Sequence, residues 1–295
     1  MAHLRVSRGA PRLYPFGMAV LGSVLIDGVS LDAEDAAISV FDIGFQRGYG
    51  CFEAMRSYDG TVFRLDQHLT RLEMSATKLR LPAPDRGTIA EWCRTVATSA
   101  GDSVVRVFIS GGIDPYRPGT GSKVVVFAES VHAGSDAMRL QSRVAPWHSD
   151  GDWFELTGAK ALSYGFNLTA TVAAQQDGFD DALLIGRGGH VLEGPTFSIG
   201  WITDGTLFTP ELGLGILESI TRCTAIEVAG HVGIPVSEGV FGIDEALAAD
   251  EVIALSTVRE VKSVSLIDEQ TFETGPVTAL LKNGFRALVL EEAGR

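Results

Sequence analysis

Cysteine is scarce in this sequence, and the motifs of common metal sites are missing. The 295 residues include three cysteines, Cys51, Cys93 and Cys223, and six scattered histidines. No Cys-x-x-Cys pair and no His-Glu-x-x-His motif occurs. Few, widely spaced cysteines are typical of a protein of the reducing cytoplasm, and their spacing gives no zinc site. We therefore expect a cytoplasmic protein without a bound metal.

Basic residues are also few relative to acidic ones. The chain has 24 lysines and arginines against 37 aspartates and glutamates, a formal net charge of -13. Proteins that bind nucleic acid need a basic surface to meet the phosphates, so we do not expect a nucleic-acid partner. A small anionic ligand is compatible with this charge, because a few local arginines can make one pocket positive.

Hydrophobic runs are short. The apolar run at residues 16–26 follows three arginines, but it contains glycines and ends at Asp27-Gly28. A membrane span needs about 20 apolar residues, and a signal peptide needs a small-residue cleavage site. The run therefore favours a first strand that ends in an Asp-Gly turn over a signal peptide or a membrane anchor.

Signals for strands and helices are mixed along the chain. Leucines and alanines recur every three or four residues from Leu65 to Leu79, which predicts an amphipathic helix with Asp66 as its N-cap. Runs rich in β-branched residues at Val104–Ser110 and Lys123–Glu129 predict buried strands.

The second half of the chain is rich in hairpin signals. Turns are predicted about Arg187-Gly188-Gly189 and Asp204-Gly205, a helix from just after Lys160 to about Gln176, and a C-terminal helix at Pro276–Leu290. Hairpins this frequent argue against a doubly wound sheet and predict an α+β fold.

The sequence also suggests a division into two domains. We place a linker at 131–137. It separates a small N-terminal α/β domain, 1–130, from a larger C-terminal mixed β domain with helices, 138–295.

Two charged residues have neighbours that suggest chemistry. Lys160 is flanked by small or apolar residues, and burial would lower the pKa of its amine and make it a nucleophile or a base. Glu193 ends a predicted strand, where it could pair with a protonated ring nitrogen in a pocket. An exposed lysine at a strand-to-helix junction and an exposed glutamate are the ordinary alternatives.

A predicted helix start at Ile220 and Thr221 could bind an anion. Its first backbone N–H groups are free, and the hydroxyl of Thr221 adds a donor. A plain helix start capped by Ser219 is the alternative. Ser256 and Thr257, at the end of a predicted strand, could add further donors. Arg71, between Leu69 and Leu72, could reach inward and offer the fork of donors that suits a phosphate, or could lie in solvent.

Two sequence blocks carry a family resemblance. Residues 41–56 match the pattern D-x-G-F-x-x-G-x-x-x-F-E-x-x-R, and residues 63–72 match F-R-L-x-x-H-x-x-R-L. From about Val24 to Leu290, the chain resembles the class IV, or fold-type IV, pyridoxal-phosphate-dependent aminotransferases. These include branched-chain and D-amino acid aminotransferases, (R)-selective amine transaminases and 4-amino-4-deoxychorismate lyases.

The resemblance implies a cofactor and its ligands. Pyridoxal 5'-phosphate would lie between the two domains of a homodimer or higher homo-oligomer. Lys160 would form the internal aldimine and move the proton between the substrate α-carbon and the cofactor. Glu193 would bind the pyridine nitrogen, and Tyr164 the ring hydroxyl. The phosphate ligands would be Arg71, Ile220, Thr221, Thr257 and, more weakly, Ser256.

The resemblance also implies that the protein transfers an amino group between an amino acid and a 2-oxo acid, with a pyridoxamine form of the cofactor as the intermediate carrier. We expect the amino acid to be aliphatic. Tyr164 follows Lys160 by four residues instead of the five usual in branched-chain enzymes, which resembles the D-amino acid, amine and lyase members. Arg106 favours a substrate with a carboxylate, and Arg47 and Arg259 are further candidates to bind it. The lyase, the D-amino acid or (R)-amine transaminase and a non-catalytic cofactor-binding protein remain alternatives.

Three positions depart from the family pattern. Ser198 stands where asparagine is common, Glu218-Ser219 replaces Pro-Gly before the helix start, and Ser263 replaces a proline. A glutamate beside a phosphate is unfavourable unless its side chain points away.

Overall fold

The structure is a computed structural model that describes residues 19–82, 84–132, 134–149 and 154–294. Within these residues the first sheet has the strand order β2-β1-β6-β5-β3-β4 and is antiparallel throughout. Its strands are β1 (Val20–Ile26), β2 (Val29–Leu31), β3 (Gly50–Tyr58), β4 (Thr61–Val62), β5 (Ser103–Ser110) and β6 (Val124–Glu129). The helices of this part are α1 (Ile43–Arg47), α2 (Leu65–Lys78) and α3 (Arg86–Ala100).

The second sheet mixes parallel and antiparallel pairs in the order β11-β10-β9-β12-β13-β7-β8, with β14 beside β13. Its strands are β7 (Ala137–Val144), β8 (Asp181–Ile185), β9 (Ser198–Thr203), β10 (Thr206–Pro210), β11 (Val236–Gly239), β12 (Glu251–Ser256), β13 (Glu260–Ile267) and β14 (Gln270–Thr271). The helices are α4 (Gly165–Gln176), α5 (Ile220–His231), α6 (Ile243–Leu247) and α7 (Pro276–Glu292).

These elements confirm the predicted α+β fold. The strands of the two sheets lie on either side of residues 130–136, and residue 137 already belongs to β7. The exact domain bounds stay a prediction. No helix within the described ranges is long and apolar enough to cross a membrane.

The first strand and its turn lie where the sequence predicts them. β1 ends at Ile26, and Asp27 and Gly28 follow with φ angles of 51° and 81°. Hairpins of type I′ require positive φ at both central residues, which Asp-Gly tolerates. Residues 1–18, with the three arginines of the sequence analysis, lie outside the described residues.

Helix α2 packs its apolar side against the first sheet, as its periodicity predicts, but its start differs. The N-cap is Arg64, with φ 55°, and the predicted cap Asp66 lies one position inside the helix. The Arg64 N–H donates to the Glu292 side chain at 2.7 Å, which fixes the turn before the helix. Asp66 instead pairs at the surface with Arg86 at 3.5 Å.

The predicted helix after Lys160 starts later than expected, at Gly165. Residues 161–164 are held against β3 because Ala161 forms a β-bridge with Cys51 and the Leu162 N–H donates to Gly50 at 2.9 Å. These bonds compete with helix formation and keep Lys160 beside the first sheet.

Candidate active site

One cleft gathers most of the residues that the sequence singles out. It has a volume of about 720 Å³ and is lined by residues of both sheets. Its walls include Arg71, Lys160, Tyr164, Glu193, Ser256 and Thr257. Ile220 and Thr221 line a smaller cavity of about 10 Å³, which shares Thr257 with the cleft.

The backbone of Lys160 is fixed between α2 and β3. Its N–H donates to the Ser75 hydroxyl at 3.0 Å, and its carbonyl accepts from the Phe52 N–H at 3.0 Å. The amine lies 4.4 Å from the centre of the Phe52 ring and 3.5 Å from the Tyr164 hydroxyl. Burial lowers the pKa of Lys160 to about 8, although the carboxylates Glu53 and Glu193 oppose this shift. The amine is therefore much easier to deprotonate than that of an exposed lysine.

Glu193 is a carboxylate with few partners. Both of its oxygens lie 3.3 Å from the Leu217 N–H, and its own carbonyl accepts from the Leu184 N–H. Burial raises the pKa of Glu193 to about 7, and the Leu217 N–H and the charge of Lys160 only partly offset this. A cationic hydrogen-bond donor in the cleft would stabilise the ionised form of this carboxyl group.

The N-terminus of α5 adjoins the cleft through its cap residue Ser219. Ser219 caps the helix, and its hydroxyl oxygen accepts from the Arg222 N–H at 3.3 Å. Arg71 lies beside it, since its Nη1 donates to the Glu218 carbonyl at 2.8 Å. An arginine, a helix N-terminus and the hydroxyl of Thr257 together favour an anion. Ser219 is thus both the predicted cap and a part of the cleft wall.

Two residues behind this end were quoted in the sequence blocks but given no role. Glu53 accepts from Arg71 Nε at 2.7 Å and Nη2 at 2.8 Å, and it lies 2.8 Å from His68 Nδ1. All three side chains are buried. The signal in the sequence was a charged residue on the buried face of β3 and a histidine on the apolar side of α2. We call Glu53, His68, Arg71 and the N-terminus of α5 the anion end, and Lys160, Tyr164 and Glu193 the amine end.

The sequence of the chain is similar to those of known enzymes. The model of the family described as amino-transferase class IV matches residues 50–267. The branched-chain-amino-acid aminotransferase of Salmonella typhimurium is 29% identical over 289 residues, which cover 91% of this chain and 93% of that protein. The chain belongs to the class IV aminotransferases.

Two further relatives of this aminotransferase show that the similar proteins include both lyases and transaminases. The aminodeoxychorismate lyase of Bacillus subtilis is 27% identical over 289 residues, or 92% of this chain and 98% of that protein. The fold IV-transaminase CpuTA1 of Curtobacterium pusillum superposes with a TM-score of 0.81 at 25% identity, covering 90% of this chain and 98% of that one. The predicted fold type is thereby confirmed.

Class IV aminotransferases use pyridoxal phosphate, and the cleft offers suitable donors for it. The Lys160 amine, the Glu193 carboxyl group with its raised pKa and the side chains of Arg71 and Thr257 line one cavity. The hydroxyl of Ser198, at the departure from asparagine, is buried in the cleft wall without a hydrogen-bond partner among the described residues. A buried polar group without a partner costs free energy, so this hydroxyl is consistent with a polar ligand.

The substitution of Glu218 before the helix start does not place a carboxylate in the cleft. The Glu218 side chain is exposed and does not belong to the cleft wall, while its backbone carbonyl binds Arg71. Ser263, the replacement for proline, is buried and accepts from the Lys282 amine at 2.7 Å.

The three candidate arginines of the aminotransferase are not equivalent. Arg106 lines the cleft but is bound to Glu129 through Nε at 2.7 Å and Nη2 at 2.6 Å. Arg259 also lines the cleft, and its Nη1 donates to the Thr196 hydroxyl at 3.1 Å. Arg47 is exposed at the end of α1 and lies outside the walls of this cleft.

Proposed function

We propose that this protein is a pyridoxal-phosphate-dependent transaminase that moves an amino group between an amino acid and a 2-oxo acid. The observation that carries the proposal is that the Lys160 amine shares one cleft with the Glu193 carboxyl group and with Arg71 and Thr257 of the predicted phosphate site. A molecule with a phosphate, an aldehyde and a protonated ring nitrogen has one partner for each of these groups.

The residues would hold the cofactor at both ends. Arg71, Thr257 and the N–H groups of Ile220 and Thr221 would bind the phosphate, with Ser256 as a weaker ligand. Glu193 would bind the ring nitrogen, Tyr164 the ring hydroxyl, and Lys160 the aldehyde end. Pyridoxal phosphate, when bound, supplies an electron sink for charge that develops on the substrate α-carbon.

Lys160 would act as the base and acid of the reaction. Because burial lowers the pKa of its amine to about 8, a useful fraction is neutral near pH 7 and can accept a proton. The backbone bonds of Lys160 to Ser75 and Phe52 fix the main chain from which its side chain extends. Burial also raises the pKa of Tyr164, so its hydroxyl stays protonated and can donate to the cofactor.

The substrate class is proposed from the charges of the cleft. Arg106 and Arg259 in its walls favour a donor and an acceptor that each carry a carboxylate, and an aliphatic amino acid is our first choice. A lyase that releases pyruvate without an amino acceptor is the second candidate, since a lyase is among the relatives. D-amino acid and (R)-amine transamination are the remaining alternatives.

Reconstitution with the cofactor tests the proposal. Purified protein incubated with pyridoxal phosphate should turn yellow, and reduction with borohydride should attach the cofactor to Lys160, as shown by peptide mass spectrometry. A panel of L-amino acids, D-amino acids and (R)-amines with 2-oxo acids then identifies the donor. A colourless protein without label on Lys160 would refute the proposal, and a labelled protein without turnover would indicate a non-catalytic binder.

We also propose that the chain forms a homodimer. Three aromatic side chains, Phe41, Phe45 and Tyr116, are exposed by 69%, 75% and 94%. The two chain segments that carry them are joined by a hydrogen bond from the Ile43 N–H to the Gly112 carbonyl. Exposed apolar patches of this kind often mark protein interfaces. Light scattering coupled to gel filtration should give twice the chain mass of 31.4 kDa, and a single-chain mass would contradict the proposal.

A further inference from the structure

We propose that Glu53, supported by His68, is a positioning residue that makes the cleft selective for a phosphorylated ligand. It acts by fixing the guanidinium of Arg71 at the N-terminus of α5. The inference rests on the proposed function, because it assumes that the phosphate of the cofactor binds at the anion end.

The geometry of Glu53 leaves Arg71 little freedom. Glu53 lies in the middle of β3, and His68 and Arg71 lie three residues apart on the facing side of α2. The carboxylate accepts from two different nitrogens of the guanidinium, Nε at 2.7 Å and Nη2 at 2.8 Å. A two-point contact of this kind fixes the plane of the guanidinium as well as its position.

His68 fixes the carboxylate in turn. Its Nδ1 lies 2.8 Å from Glu53 Oε2, the oxygen that also accepts from Arg71 Nη2. Burial lowers the pKa of His68, so the ring is neutral and can donate from Nδ1 without adding charge. Glu53 is therefore held by the helix that carries the arginine.

The remaining donors of Arg71 identify the ligand. A guanidinium has five N–H groups. Three of them bind Glu53 and the Glu218 carbonyl, which leaves two for a ligand in the cleft that Arg71 lines. The Glu218 carbonyl that binds Arg71 lies two residues before α5, so a phosphate on Arg71 would also be close to the first N–H groups of that helix.

Charge balance explains why the support is a carboxylate. Arg71 has only 6% of its surface exposed, and a buried guanidinium without a counter-ion is costly. Glu53, with no exposed surface, neutralises it before a ligand binds. The anion end is thus formed in advance, and a phosphate meets donors that need no reordering.

The test compares two ligands that differ only in the phosphate. We would measure the dissociation constants of pyridoxal phosphate and pyridoxal on the full apo-chain by equilibrium dialysis, for wild type, Glu53→Gln, Arg71→Lys and the double variant. In Glu53→Gln one acceptor oxygen becomes an N–H donor that faces Arg71. We expect the preference for the phosphorylated ligand to fall by about tenfold, as for outer-shell partners of metal ligands.

The double variant separates positioning from a general effect on folding. If Glu53 acts through Arg71, Glu53→Gln should add nothing to the loss caused by Arg71→Lys. Equal losses for pyridoxal phosphate and pyridoxal, or additive losses in the double variant, would overturn the inference.

A pair of His68 variants gives the same answer should Glu53→Gln fail to fold. His68→Asn keeps an N–H donor close to the place of Nδ1 and should keep the preference for the phosphate, whereas His68→Leu should lower it. An unchanged preference in His68→Leu would count against the inference. A wild-type chain that binds neither ligand would overturn the proposed function as well, which distinguishes the two failures.

Discussion

Glu53 is a fully buried carboxyl group behind the cleft and Glu193 is a partly buried one in its wall, and their surroundings differ. Burial alone would raise the pKa of both. At Glu53 the charges and hydrogen bonds of Arg71 and His68 outweigh burial and hold the pKa well below its usual range. At Glu193 one backbone N–H and the charges of Lys160 and Arg71 do not outweigh burial, and the pKa rises to about 7.

The difference separates a carboxylate that supports the site from one that awaits a ligand. Glu53 has protein donors at both oxygens and needs no further partner. Glu193 shares one N–H between its oxygens, and a cationic group that enters the cleft would further stabilise its charged form. We therefore expect Glu53 to hold Arg71 in place and Glu193 to bind a cationic group of the ligand.

Removing the amine gives the largest expected effect and tests whether the two ends act separately. Lys160→Ala should lower turnover by on the order of 10³-fold or more, because the proton carrier is lost. The variant should still bind pyridoxal phosphate without a covalent bond, since the anion end is intact. Steady-state kinetics and dialysis measure the two quantities. Normal turnover in Lys160→Ala would refute its role, and loss of all binding would show that the ends are not independent.

Removing the charge of Glu193 should have the next largest effect. Glu193→Gln keeps the volume but loses the charged acceptor, and a hydrogen bond to a charged group contributes about 1.5–3 kcal/mol, or about 10- to 100-fold. We expect kcat to fall by that factor while the preference for pyridoxal phosphate over pyridoxal stays constant. Glu193→Asp should recover part of kcat. If Glu193→Gln lost the preference for pyridoxal phosphate over pyridoxal, Glu193 would contribute to phosphate binding, and its role would not differ from that of Glu53.

The sequence predicted the amine end better than the anion end. Residue type and the family resemblance singled out Lys160, Tyr164 and Glu193, and all three line one cleft, whereas Glu53 and His68 had been given no role. The start of α4 was misplaced because the bonds of Ala161 and Leu162 to β3 join residues more than 100 positions apart. Local propensity carries no information on such contacts.

The support of Arg71 shows a second limit of sequence reasoning. Periodicity indicated that Arg71 could reach inward, but pairing it with Glu53 requires the packing of α2 on β3. The sequence also could not rank the three candidate substrate arginines. Only the structure shows that Arg106 is paired with Glu129 and that Arg47 lies outside the cleft walls.

Arg106 and Arg259, the two candidate substrate arginines in the cleft wall, differ in how fully their charges are paired. Arg106 is bound to Glu129, whereas the ion pair of Arg259 with Asp181 spans 3.9 Å. Arg259→Gln should raise KM for an amino acid by about tenfold through loss of a charged hydrogen bond, and leave KM for an amine without a carboxylate unchanged. Arg106→Gln is the matched control and should change KM less. The reverse order would show that Arg106 leaves Glu129 when the substrate binds.

The smallest expected effect is a difference in how stability depends on pH. The folded state raises the pKa of Glu193 from its ordinary value of 4.5 to about 7, so it binds the proton more tightly than the unfolded chain. The stability from this group is present below pH 4.5 and is lost as the pH rises through 7. Glu193→Gln cannot ionise and avoids this loss.

The melting temperature of the apo-protein from pH 5 to pH 8 measures this difference. The Tm of Glu193→Gln relative to wild type should increase across this range by a few degrees, since one kcal/mol shifts Tm by about 2–4 °C in domains of 150–250 residues.

Glu53→Gln should show the opposite behaviour, a difference in Tm that does not depend on pH in this range. Because the folded pKa of Glu53 lies below its usual range, its stabilisation is complete above the ordinary pKa and is lost only in acid. The deficit of Glu53→Gln should therefore stay constant from pH 5 to pH 8, and parallel curves for the two variants would show that the two carboxyl groups do not differ in this way.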